Sequence, residues 1–140
     1  MDQNKLVLEE ISKGLEMGVQ SLEAVKTHIE NSEMKMLAEK QENDYRESIA
    51  EAHHLSRTLE NKKSGNALET AMLKSMIKMK TFFNDKDDHI AEMLIQGSNM
   101  LMIELNKIRN DYVSHEAVAS YIDRLLKREQ GHIDALKPFL

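Results

Sequence analysis

The sequence predicts an all-α protein built as a bundle of long amphipathic helices, and three observations predict it. The 140 residues hold one Pro and five Gly, and 31% are charged, a composition that favours long helices over sheet. Apolar residues recur at alternating steps of three and four through long stretches, the period of one helix face. The stretches are separated by short clusters of Asn, Ser, Gly and Asp that mark turns. A chain of this length fits one domain, residues 1–140, with a substantial core. Aromatics are few, so Leu, Ile and the ten Met must fill that core.

The composition also excludes several function classes. A formal net charge of -5 argues against a nucleic-acid partner, because phosphate contacts need a basic footprint. With no cysteine, disulfides, thiolate metal sites and thiol catalysis are excluded. Met1-Asp2-Gln3-Asn4-Lys5 leads into charged residues rather than an apolar run, so no signal peptide is expected. The most apolar run, Met100-Leu101-Met102-Ile103, is too short to span a bilayer, and a cytoplasmic protein without membrane contact is expected.

Leu8, Ile11, Leu15, Gly18, Leu22, Val25 and Ile29 form the first stripe, on a helix of roughly seven turns. Gly18 lies inside the stripe, where a missing side chain either admits a close neighbour or leaves room for a ligand. Asn31-Ser32 breaks the pattern, and Ser32 is expected to cap a second helix reaching about Lys62. Its core line, Met34, Leu37, Gln41, Tyr45, Ser48, Ala52, Leu55 and Leu59, is polar in the middle. Gln41, Tyr45 and Ser48 there either hydrogen-bond one another, or a buried water, across the bundle, or line a ligand pocket.

Lys62-Lys63-Ser64-Gly65-Asn66 is the clearest turn. A shorter third helix follows, with Leu68, Met72, Met76, Met79 and Phe83 on one side. Its methionines suit core filling more than copper(I), since no Cys or His is mixed in. Asn84-Asp85-Lys86-Asp87-Asp88 then starts a fourth helix, with aspartates suited to an N-cap and to the positive end of the helix dipole. The spacing does not match a calcium loop. The fourth helix carries Ile90, Leu94, Gly97, Leu101, Leu105, Ile108 and Tyr112, and Met93, Met100, Met102 and Ile103 widen its apolar surface. A helix apolar beyond one stripe is central or covered, here by the short third helix or by a second subunit, so a homodimer is expected. Ser114-His115-Glu116 caps the fifth helix, with Val118, Tyr121, Ile122, Leu125, Glu129, His132 and Leu136 inward and Pro138 ending it.

Two Glu-x-x-His segments carry the chemistry. With each residue turning the helix about 100°, Glu129 falls about 40° to one side of Leu125 and His132 about 20° to the other, so both point inward. A buried Glu needs a metal, a cation, a hydrogen bond or its own proton. On the second helix, Glu51 lies about 100° and His54 about 160° from Ala52 by the same rule, which places that pair on a solvated face. The positions that match Glu129 and His132 in facing are Tyr45 and Ser48.

Five helices, the last two echoing the first two across a connecting helix, resemble the ferritin-like superfamily over nearly the whole chain. The Met-rich middle, the acidic turn and Gly97 look most like bacterial ferritin-like families of unknown function, and are similar to rubrerythrins and bacterioferritins in architecture only. The resemblance implies an up-down four-helix bundle with a short extra helix in the mid-chain crossover. It also implies a two-metal centre in which each half supplies a Glu and a Glu-x-x-His. Glu51 and Glu129 stand 78 residues apart, close to a half-chain repeat. The other two Glu are expected about 33 residues before each motif, where this chain has Gly18 and Gln96. Of the six ligands implied, Glu129 and His132 alone match in type and facing.

The expectation is therefore a non-catalytic binding or structural module that lacks a complete two-metal site and takes no cofactor. Glu129 and His132 would form a buried polar pair within it, with Tyr45 or Ser48 as partners. The alternative is an iron- or manganese-binding bundle in which Glu104 or a partner subunit completes Glu129 and His132, with Glu51 and His54 as weaker candidates. An enzyme is the least supported reading, since no nucleophile–base pair or phosphate loop is readable.

Overall fold

A computed structural model of the chain describes residues 3–59 and 86–140. The turn at 62–66 and the methionine-rich helix expected over 68–83 lie outside the described residues. The described chain forms α1 (Gln3–Lys26), α2 (Ser32–Thr58), α3 (Asp87–Tyr112) and α4 (Glu116–Leu136), with a final 3-10 turn, Lys137–Phe139. Among the described residues every regular element is helical, and none is long and apolar enough to cross a membrane.

The apolar stripes supply the core. Leu8, Ile11, Leu15 and Leu22 of α1 meet Met34 and Ala52 of α2, Ile90 and Leu105 of α3, and Ile122 and Leu136 of α4, all nearly or fully removed from solvent. Burying each large aliphatic side chain contributes about 1.5–3 kcal/mol, which is what draws the stripes together. Tyr112, expected on the main face of its helix, is 37% exposed, and Ile103 is 55% exposed.

Cross-helix contacts fix the direction of each helix. Gly18 lies against Tyr45 and Lys26 pairs with Glu42, so α1 and α2 are antiparallel. Asp44, Ser48 and Glu51 meet His132, Arg128 and Arg124 in turn, so α4 is antiparallel to α2. Arg109 and Asp123 tie α3 to α4 across their short turn. Between α2 and α3 the order is Asn31 with Asp87, then Gln41 with Ser98, so these two run parallel. Simple up-down alternation therefore stops at mid-chain. Leu59 and Lys86 therefore lie toward opposite ends of the bundle, whereas short loops force antiparallel neighbours.

Side-chain caps clamp the turns. Asn31, rather than Ser32, is the N-cap of α2, its Oδ1 accepting from the Met34 N–H at 2.9 Å. Asn caps as well as Ser, and its position one residue earlier aligns it with the orphan N–H. The backbone N–H groups of Glu30 and Asn31 donate to the two carboxylate oxygens of Asp87, which joins the α1–α2 turn to the start of α3. At the other end Asn4 Oδ1 accepts from the N–H groups of Ser114 and His115. The Ser114 hydroxyl accepts from Asn4 Nδ2, and the His115 ring caps α4 by accepting from Ala117. The second helix stops at Thr58, short of Lys62, where the Thr58 hydroxyl bonds the Leu55 carbonyl and Leu59 turns extended. Such local side-chain bonding competes with the helix ladder.

Candidate functional site

Helix α4 carries Glu129 and His132 one turn apart, on the face shared with Leu125 and Leu136, and the two are 2% and 8% exposed. Opposite them, α2 presents Gln41, Asp44, Tyr45 and Ser48, spaced as one side of a helix. The result is a hydrogen-bonded chain across the interface of the two helices.

The Tyr45 hydroxyl donates to Glu129 Oε1 at 2.7 Å and accepts from Gln41 Nε2 at 2.9 Å. Gln41 also donates to Ser98 Oγ, at 3.3 Å, which brings α3 into the chain. His132 Nδ1 lies 3.0 Å from Glu129 Oε2, and its Nε2 lies 2.8 Å from Asp44 Oδ2. A carboxylate can only accept, so an imidazole set between two of them must donate from both nitrogens. His132 is thus an imidazolium held between Glu129 and Asp44.

The electrostatics agree. Burial pulls the His132 imidazolium down, but the hydrogen bond and charge of Glu129, and then those of Asp44, outweigh it and hold His132 above the usual histidine range. For Asp44, burial raises the carboxyl, and the hydrogen bonds from His132 and Lys40 more than reverse this, leaving it below the usual aspartate range. Burial and then the Glu129 charge push the Tyr45 phenol well above its ordinary value, so it stays an O–H donor.

Gly18 explains how Tyr45 fits. A Cβ built at Gly18 would lie 2.8 Å from Tyr45 Cε2, closer than real Cβ contacts, and 3.0 Å from Cδ2. The space left in the α1 stripe is filled by the tyrosine ring, whose edge also meets the His132 ring at 5.8 Å between centroids. Beyond this chain, Arg128 Nη1 donates to Ser48 Oγ at 2.9 Å and to the Asp44 carbonyl at 3.3 Å. The Tyr121 hydroxyl donates to the Ser48 carbonyl at 2.7 Å.

The other expected ligands are elsewhere. Glu51 pairs with Arg124 at the rim, and His54 is exposed. Glu104 pairs with Lys107 on its own helix at 3.7 Å. Gln96, where the resemblance expects a Glu, is an exposed partner of Glu92. Among the described residues, no group of three or more His, Cys, Asp and Glu side chains is arranged to hold a metal ion. Glu129, His132 and Asp44 are close, but each ring nitrogen is aimed at a different carboxylate. Among the described residues, the side chains are not arranged as the two-metal centre that the resemblance implies.

Sequence reasoning missed Asp44 and Arg128. Asp44 sits one position, about 100°, from the core line through Tyr45 and so scores as a surface residue. Its only local signal is Lys40 four residues earlier, paired with it at 3.1 Å. It also missed Ser12 and His53, whose Oγ and Nε2 lie 2.9 Å apart between α1 and α2. The contact ties α1 to α2. Compared with known protein families, curated proteins and solved structures, the chain gives no match.

Proposed function

We propose that this chain is a ferritin-like helical bundle acting as a non-catalytic binding or structural module. In this reading Glu129 and His132 are a buried polar lock between α2 and α4 rather than half of a two-metal centre. One observation carries it: both nitrogens of His132 and both oxygens of Glu129 are engaged by protein groups, with Asp44 and Tyr45 on the partner helix. The ferritin-like part is supported by two antiparallel pairs, α1 with α2 and α3 with α4, and by the parallel course of α2 and α3, which matches the connectivity of that fold. Networks of this kind define one packing register, because any slip strands a buried charge.

The test is a metal analysis. The protein is grown in medium supplemented with iron, manganese and zinc, then purified and assayed for each. The expected result is metal well below one equivalent. Stoichiometric metal that is lost in His132→Ala would overturn the reading and restore the iron- or manganese-binding alternative.

A further inference from the structure

Beside His132, the α2–α4 interface opens into a groove of about 240 Å³. We propose that this groove binds a small organic anion with a short apolar body, its carboxylate held between Lys40 and Arg128. The proposal rests on the reading above, in which His132 is spent on the lock and not on a metal.

Size comes first. Sites for drug-sized ligands run from about 300 to 1,000 Å³, so the occupant here is smaller. Leu37 on one side and Ala135 and Leu136 on the other give the groove apolar walls. Charge selects the head group. Lys40, Arg128 and the His132 imidazolium line the groove against one carboxylate, Asp44, which leaves it positive on a chain of net charge -5. Asp44 already accepts from both Lys40 and His132 through Oδ2, so its charge is shared between two cations of the groove. Of the acidic groups nearby, Glu129 stands behind His132, and Glu47 meets Arg128 only loosely at 3.6 Å.

Donors remain for an anion. Arg128 fixes the helices through Nη1, while its fork carries five N–H groups. The Lys40 ammonium has three N–H groups, and its side chain is 67% exposed.

Gly131 is the second observation. A glycine inside a helix weakens it, and packing usually explains why one is kept. Gly18 has that explanation in the Tyr45 ring; at Gly131 a Cβ would meet no atom within 4 Å. Gly131 is exposed and lines the groove, so it sits at the groove's rim. A large side chain there would crowd the mouth of the groove.

Hexanoate is the probe, titrated into the full-length chain in the presence of a chelator and followed by two-dimensional amide NMR. Saturable shifts are expected at Lys40, Gly131, His132 and Ala135. Lys40→Gln is expected to weaken binding about tenfold, the loss of one charge-assisted hydrogen bond. Gly131→Leu is expected to abolish binding while circular dichroism shows an unchanged fold and an equal or higher Tm. If Gly131→Leu does not fold, Lys40→Gln still decides. Absence of saturable shifts, hexylamine binding as tightly as hexanoate, or hexanoate binding that survives in both variants would each overturn the proposal. Because metal is chelated throughout, a positive titration stands even if the metal analysis overturns the reading of the lock.

Discussion

Glu129 and His132 on α4 and Glu51 and His54 on α2 share one spacing and one secondary structure, yet they meet opposite surroundings. The first pair is almost wholly buried and satisfied by Tyr45 and Asp44. In the second, Glu51 reaches Arg124 at the rim, and His54 faces solvent. The spacing puts a Glu and a His one turn apart on any helix; what decides their chemistry is their phase against the apolar stripe. An inward carboxylate must be compensated by partners on other helices, and an outward one is compensated by water.

Truncation should separate the two copies most clearly. Glu129→Ala leaves the His132 imidazolium and the Tyr45 hydroxyl without their shared partner, and should cost about 3–5 kcal/mol in urea denaturation. Glu51→Ala removes a half-exposed ion pair and should cost about 1 kcal/mol or less. Equal costs would mean that the buried network is not a lock.

The two glycines sharpen the same contrast. Gly18→Ala drives a methyl into a tyrosine ring held at its hydroxyl by Glu129 and Gln41, so the ring cannot give way cheaply. It should destabilise by about 1–3 kcal/mol despite the better helix propensity of alanine. Gly131→Ala meets no neighbour and should stabilise by about 0.5–1 kcal/mol, read as a shift in the urea midpoint.

The smallest effect is in pH. The His132 value is raised above its ordinary 6.5, so its contribution is fully present below that and is lost as pH rises through the folded value. The Asp44 value is lowered from 3.8, so its contribution is present above that and is lost as pH falls through the folded value. The lock is therefore strongest between 3.8 and 6.5. Urea midpoints taken from about pH 5 to about pH 9 should decline on the alkaline side. His132→Gln should flatten that decline, and His54→Gln should leave it unchanged. A decline that also flattens in His54→Gln would assign the titration to the wrong histidine.

Much of this was legible in the chain itself. The stripes from Leu8 to Ile29 and from Val118 to Leu136 lie where the helices bury them, and Gln41, Tyr45 and Ser48 are the polar middle of α2. The inward facing of Glu129 and His132 follows from a rotation of about 100° per residue, which needs no neighbour to be known. Their partners did not follow. Asp44 lies off the core line of its own helix and reaches His132 because α4 crosses α2 beside it. Arg128 lies next to Glu129 in the chain, yet it turns to Ser48 and the Asp44 carbonyl. The cap of α2 was located to within a residue, because Asn31 and Ser32 have nearly equal capping strength and only geometry chooses between them, whereas α3 starts after Lys86 with no side-chain cap despite the aspartates around it.

The sequence by itself determined that this chain is helical, where the described helices begin and end to within a few residues, and which face each one buries. Those properties are local, set by turn chemistry and by a period of about 3.6 residues. Only the tertiary structure decided that Gly18 makes room for Tyr45, that α2 and α3 run parallel, and that Asp44 closes the chain around His132. Each depends on which helices become neighbours and at what height, and no periodicity within a single helix carries that information.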